Sequence, residues 1–215
     1  MTQTAISHHL DQATLLAYAT GTLPEAFSLV VAAHVSLCDD CRAELGALDA
    51  VGGALLDDAA PADLDSASLD ATLARIAGAP PAAPRKRVPG VLPGPVQDYV
   101  GGDLDQIRWR PVGMGVKQAI LPTAPGATAR LLYIPAGVAM PDHGHHGTEL
   151  TLVLQGAFHD GDARFARGDV ETADADIQHI PVADIHEDCI CLAATDAPLR
   201  FAGWLPRIVQ RFVRI

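Results

Sequence analysis

The sequence predicts a multi-domain chain of mixed class: an all-α helical domain over residues 1–80, then an all-β barrel over residues 98–215, joined by a linker over residues 81–97. Three observations carry this. Before residue 80, apolar residues recur at helical spacing between start and stop signals. Residues 78–97, GAPPAAPRKRVPGVLPGPVQ, hold six prolines and three glycines, a composition that suits neither a helix interior nor a central strand. Beyond them, short runs rich in β-branched and apolar residues alternate with turn signals, the pattern of a sandwich or barrel.

Each element has its own signal. LDQATLLAYATG gives a first helix that stops at Gly21, since glycine readily takes the left-handed conformation past a helix end. LPEAFSLVVAAHVSL gives a second, opened by Pro24 in a first-turn position. CDDCRAELGALDAVGGALL gives a third. SASLDATLARIAG gives a fourth, with Ser66 or Ser68 as the expected cap and Gly78 at its end. The expected strands lie in RWRPV, VKQAILP, ARLLYIP, ELTLVLQG and CICLAAT.

Composition narrows the function. The 215 residues are 49% hydrophobic and 19% charged, which describes a folded chain. No apolar run approaches the roughly 20 residues of a membrane span. The start, MTQTAISHHLD, lacks the basic and apolar regions of a signal peptide. The expectation is a cytoplasmic protein without membrane contact, whose four cysteines are thiols or metal ligands and not disulfides. The net charge of −11 is unevenly spread: residues 1–80 carry eleven Asp and Glu against Arg42 and Arg75 alone. Such a segment repels nucleic acid, whose phosphates call for Lys and Arg, and attracts basic partner surfaces. The RKR cluster at 85–87 is too small to reverse this.

Two constellations carry chemistry. The first is HVSLCDDC, residues 34–41. On a single helix His34, Cys38 and Cys41 would share one face, so a buried apolar stripe is the plain reading. A C-x-x-C pair can also be a redox dithiol, but that motif needs a βαβ context, and these surroundings are helical. His9, with His8 as rival, offers a fourth ligand. Two imidazoles and two thiolates suit tetrahedral Zn²⁺, and an ion there would pin three short helices that have little core to share.

The second constellation is GVAMPDHGHHGTELTLVLQG, residues 137–156. His143 and His145 alternate on an extended segment, and Glu149 follows Gly147 into an apolar strand. The string Gly137, His143, His145, Glu149, Gly156 resembles the first cupin motif at all its spacings. Gly168 and His179 resemble the second, although TADAD stands where that motif has a Pro-x-Gly turn. Three imidazoles and a carboxylate suit zinc or another divalent transition metal. His146 is expected to point away. Cys189 and Cys191 fall on the same side of a strand, either as core residues of the barrel or as a redox-responsive pair.

Taken together, HHLD, HVSLCDDCRAELGALDAVGG and the cupin-like string resemble the ChrR-type anti-sigma factors over the whole chain. The resemblance implies a zinc-binding helical domain with His9, His34, Cys38 and Cys41 as ligands, His9 being favoured over His8 by spacing. It implies a cupin-like barrel holding a metal, zinc in that family, on His143, His145, Glu149 and His179. The implied partner is an extracytoplasmic-function sigma factor, bound 1:1 and released on singlet oxygen or related oxidative stress. Cys189 and Cys191 match family positions. No catalytic residue is evident. The alternative is a metal-dependent, dioxygenase-like cupin enzyme with an accessory zinc domain.

Overall fold

The computed structural model describes residues 5–80, 87–141, 147–174 and 180–197, with the backbone of 143–144, 178–179 and 200–201. The chain is a helical N-terminal region followed by a β-sheet region.

Among the described residues, four helices precede residue 80. They are α1 (Gln12–Ala19), α2 (Glu25–Val35), α3 (Asp39–Asp57) and α4 (Ser68–Gly78). Asp11 caps α1 by accepting from the Thr14 N–H at 2.8 Å, and the chain leaves it through Gly21 at φ 69°. Cys38 occupies the N-cap of α3, where its Sγ accepts from the Cys41 N–H. Neither Ser66 nor Ser68 caps α4: Ala67 holds that position. The reason is local, because the Asp65 carboxylate already takes the Ala67 N–H at 2.8 Å and sets the preceding turn.

The Pro-rich stretch ends in structure. A fifth helix, α5 (Gly94–Val100), begins inside the expected linker. Its prolines permit this, since Pro93 is the N-cap and Pro95 lies in the first turn, where no N–H is needed. The Gln97 side-chain amide donates to the Val88 and Leu92 carbonyls at 2.8 Å and so pins the approach to α5.

Among the described residues twelve strands follow: β1 (Arg110–Gly113), β2 (Val116–Ile120), β3 (Thr128–Ile134), β4 (His143–Gly144), β5 (Glu149–Gln155), β6 (Ala157–Asp160), β7 (Ala163–Ala166), β8 (Val170–Ala173), β9 (Gln178–His179), β10 (Val182–Ala183), β11 (Cys189–Thr195) and β12 (Arg200–Phe201). Among the described residues they pair, always antiparallel, as three sheets. The orders are β1-β2-β3-β11-β5-β8, β10-β6-β7 and β12-β4-β9. The six-stranded sheet is not closed on itself, so the expected barrel is seen as packed sheets. Val116, Ile134, Val153, Cys189 and Cys191 of the large sheet meet Phe158, Phe165 and Ala183 of the second sheet in one core.

The other face of the large sheet is not exposed. Leu131 of β3, Leu150, Leu152 and Leu154 of β5, and Ile190, Leu192 and Ala194 of β11 form a second core. They share it with Leu10, Leu15, and Phe27, Val30 and Val31 of α2. Residues of β11 therefore alternate between the two cores, and all seven are buried. This explains why ELTLVLQG and CICLAAT are continuous apolar runs: a strand covered on both faces has no solvent side. The helical region and the sheet are built on one hydrophobic layer.

Candidate metal centre

His9, His34, Cys38 and Cys41 come together, with one ligand atom from each lying within 4.8 Å of all the others. The segment before α1 supplies His9, the last turn of α2 supplies His34, and the N-cap and first turn of α3 supply the cysteines. His34, Cys38 and Cys41 are buried, and His9 closes the cluster from the solvent side.

The donor set fits a tetrahedral ion on two counts. His9 Nδ1 stands 3.3 Å from Cys38 Sγ and 3.7 Å from Cys41 Sγ. With Zn–S near 2.3 Å and Zn–N near 2.0–2.1 Å, neighbouring N and S ligands of a tetrahedral Zn²⁺ are about 3.5 Å apart. The second count is His34. Its Nδ1 lies 2.8 Å from the Gly168 carbonyl, which can only accept, so Nδ1 carries the proton. That leaves Nε2 as a lone-pair donor, buried and with no hydrogen-bond partner. A metal ion is what such a nitrogen lacks.

Electrostatics agree. Burial holds the His34 imidazole below its ordinary value, which keeps it neutral as a ligand must be. Burial pushes the Cys41 thiol up to about 11, so without a cation that thiol would be a weak nucleophile. The surroundings are helical, without the βαβ frame of a redox dithiol. A plain apolar stripe would not recruit His9 from a separate segment.

His8, the rival ligand, faces elsewhere. Its ring lies 4.3 Å from that of Phe165, its Nδ1 is 3.6 Å from Asp169 Oδ2, and Ser7 Oγ is 3.1 Å away. Asp169 was not singled out by the sequence, nor was the Gly168 carbonyl. Both sit in the β7–β8 turn, 134 residues beyond His34 in the one contact and 161 beyond His8 in the other. Gly168 was noted only as a match to the second cupin motif, and a Gly-Asp pair is common in turns, so no local signal marks its role beside the cluster.

The second constellation is only partly described. His145 and His146 lie outside the described residues. His143 and His179 are register partners across the β4–β9 pair. Glu149 opens β5, is buried, and accepts from the Thr151 hydroxyl at 2.9 Å. Beside it is a cavity of about 60 Å³ lined by residues including Arg130, Glu149, Thr151, Glu171 and Cys191. Pockets for organic ligands start near 300 Å³, so this space suits an ion or water. Burial, then the Asp160 carboxylate, pushes the Glu171 carboxyl up to about 8. Cys189 and Cys191 are both buried with sulfurs 3.5 Å apart. The contact with Cys189, and burial, hold the Cys191 thiol well above its ordinary value.

A sequence profile for a ChrR cupin-like domain matches residues 97–198. Over 98% of its length the chain is 58% identical to the anti-sigma-E factor ChrR of Cereibacter sphaeroides, of which it covers 99%. It also resembles a crystal structure of Rhodobacter sphaeroides SigE in complex with the anti-sigma ChrR, at 56% identity and a TM-score of 0.80, over 89% of this chain and all of that one. An RmlC-like cupin protein from Ralstonia eutropha is similar over 48% of the chain and 71% of its own, at 27% identity and a TM-score of 0.42.

Proposed function

The chain belongs to the ChrR anti-sigma factors, a family of regulators and not of enzymes, and from that premise we propose that it sequesters an extracytoplasmic-function sigma factor, 1:1 and in the cytoplasm, through its helical part. One observation carries the reading. Helix α4 buries none of its residues, and Leu69, Leu73 and Ile76 on it are 67%, 53% and 66% exposed. Val51, Leu55 and Leu56 at the end of α3 are exposed as well. A helix of this length has little stability without an apolar face to pack, and clustered exposed apolar residues mark a partner surface. Nine carboxylates and two arginines accompany the stripe over residues 38–80, which suits the basic, DNA-contacting surface of a sigma factor.

In this reading the protein works in three pieces: 1–80 binds the partner, 81–97 connects, and 98–215 is a cupin-like β-sheet region that senses. Zn²⁺ on His9, His34, Cys38 and Cys41 supplies the folding free energy that the small helical core lacks. A second divalent metal is held by His143, His145, Glu149 and His179, and oxidative stress, singlet oxygen included, acts there to release the sigma factor. The buried Glu149 beside a small cavity supports that placement.

The test is association of the purified chain with the extracytoplasmic-function sigma factor of its own organism, followed by size exclusion and by transcription with core RNA polymerase. A 1:1 complex that blocks transcription is expected. A chain that leaves transcription unchanged and elutes separately overturns the reading.

A further inference from the structure

The metal cluster is built on one end of the chain, yet one of its imidazoles, and the backbone that leads to the other, are held from the sheet. Gly168 O takes the Nδ1–H of His34 at 2.8 Å. Asp169 Oδ1 takes the backbone N–H groups of Ser7 at 2.7 Å and His8 at 2.9 Å, immediately before His9. Its Oδ2 takes the Ala166 N–H at 2.8 Å, which fixes the carboxylate to its own turn. The Val170 N–H then donates to the His8 carbonyl at 3.1 Å. The fit is close: Gly168 has φ +94°, and a Cβ there would meet Ile6 Cδ1 at 2.6 Å. One two-residue turn thus sets the tautomer of one ligand and the path of the backbone that carries another.

We propose that the Gly168–Asp169 turn is the outer support of the His9–His34–Cys38–Cys41 cluster, so that metal retention by the helical region and its docking on the sheet are one coupled event. The inference rests on the reading of the cluster as a metal site. Partners of this kind that orient ligating imidazoles are worth about 10–100-fold in metal affinity. Coupling between two binding equilibria is reciprocal. Loosening the turn therefore loosens the metal, and removing the metal loosens the turn. The proposal makes the cluster the place where a change in the sheet region reaches the helices, across a hydrogen-bonded contact and not along the linker.

The experiment uses the full chain loaded with Co²⁺, whose thiolate charge-transfer absorption reports the cysteine-bearing site alone. Loss of that band to excess EDTA is timed in the unaltered chain, in Asp169→Ala and in Asp188→Ala. Asp188 accepts from the Tyr133 hydroxyl and the Ala136 N–H elsewhere on the sheet, so its loss tests general destabilisation. Asp169→Ala should shed Co²⁺ about tenfold faster or more, with Asp188→Ala close to the unaltered chain. Equal release from Asp169→Ala and the unaltered chain, or equal acceleration in both variants, overturns the proposal. No charge-transfer band in the unaltered chain overturns the reading of the cluster, and the coupling with it. Should Asp169→Ala not fold, hydrogen exchange on the unaltered chain decides. Metal removal should speed exchange at the Ser7, His8 and Val170 amides about tenfold while sparing Ala136, and uniform or unchanged exchange overturns the coupling.

Discussion

The Nδ1–H of His34 donates to the Gly168 carbonyl at 2.8 Å, across 134 residues of sequence. A helical ligand and a sheet turn are therefore direct partners. The relation orders what should happen when either part is disturbed.

Cys38→Ser should cost the cluster its ion and unfold the N-terminal helices. The same sulfur also caps α3, and structural zinc contributes ~10 kcal/mol or more of folding free energy. Far-UV circular dichroism of the full chain should show lost helix, and zinc analysis by atomic emission should fall by one equivalent. A variant with full helix and full zinc would rule out the cluster as a structural site.

Leu73→Asp with Ile76→Asp should weaken sigma-factor binding about tenfold or more, ~1.4 kcal/mol, and leave the thermal midpoint of the isolated chain unchanged. Both side chains are more than half exposed, so little folding free energy depends on them. Calorimetric titration and melting curves separate the two effects.

Leu192→Ala should destabilise the chain by about 2–5 kcal/mol. Leu192 is fully buried and belongs to the core that joins sheet and helices, so denaturation followed by helix and by sheet probes should move together. A sheet that melts earlier while helix content stays fixed would show that the layer is not shared.

Glu25→Gln should lower stability near neutral pH. The Glu25 carboxylate accepts from the Tyr99 hydroxyl and from the Ala124 N–H, both at 2.5 Å, tying α2 to α5 and to the segment after β2. The Tyr99 contact first, then Ala124, holds its carboxyl below the ordinary value of 4.5. A lowered carboxyl gives stability that is present above the ordinary value and lost as pH falls through the lowered one. The difference between Glu25→Gln and the unaltered chain should thus be full at pH 7 and shrink in acid below about pH 4.5. Urea midpoints measured across that range check it, and a difference that persists unchanged at pH 3 would assign the effect to packing.

Cys189 and Cys191 should resist Ellman's reagent in the native chain and react on unfolding. Both are buried, and the Cys191 thiol is held well above its ordinary value, so little thiolate is present to attack. Rapid labelling of Cys189 or Cys191 in the native unaltered chain, located by peptide mass spectrometry, would show the pair to be open to reagents.

Much was legible from the sequence by itself. Periodicity gave the helices, because an amphipathic face repeats with the turn of the helix whatever it packs on. The Gly21 stop and the strands of ARLLYIP, ELTLVLQG and CICLAAT are local matters of hydrogen bonding and backbone conformation. The spacing of His34, Cys38 and Cys41 was readable because all three lie within two turns of adjoining helices. Tertiary structure decided what depends on distant contacts. It gave the reason for His9 over His8, a choice that spacing had only favoured, since Asp169 and Phe165 draw His8 to the sheet. It put α2 on the outer face of β3, β5 and β11, a contact foreshadowed only by the missing alternation in those strands. It turned the last prolines of the linker into the start of α5. And it supplied Gly168 and Asp169 as supports, which no pattern could reveal, because a hydrogen bond between residues 34 and 168 leaves no mark on the neighbours of either.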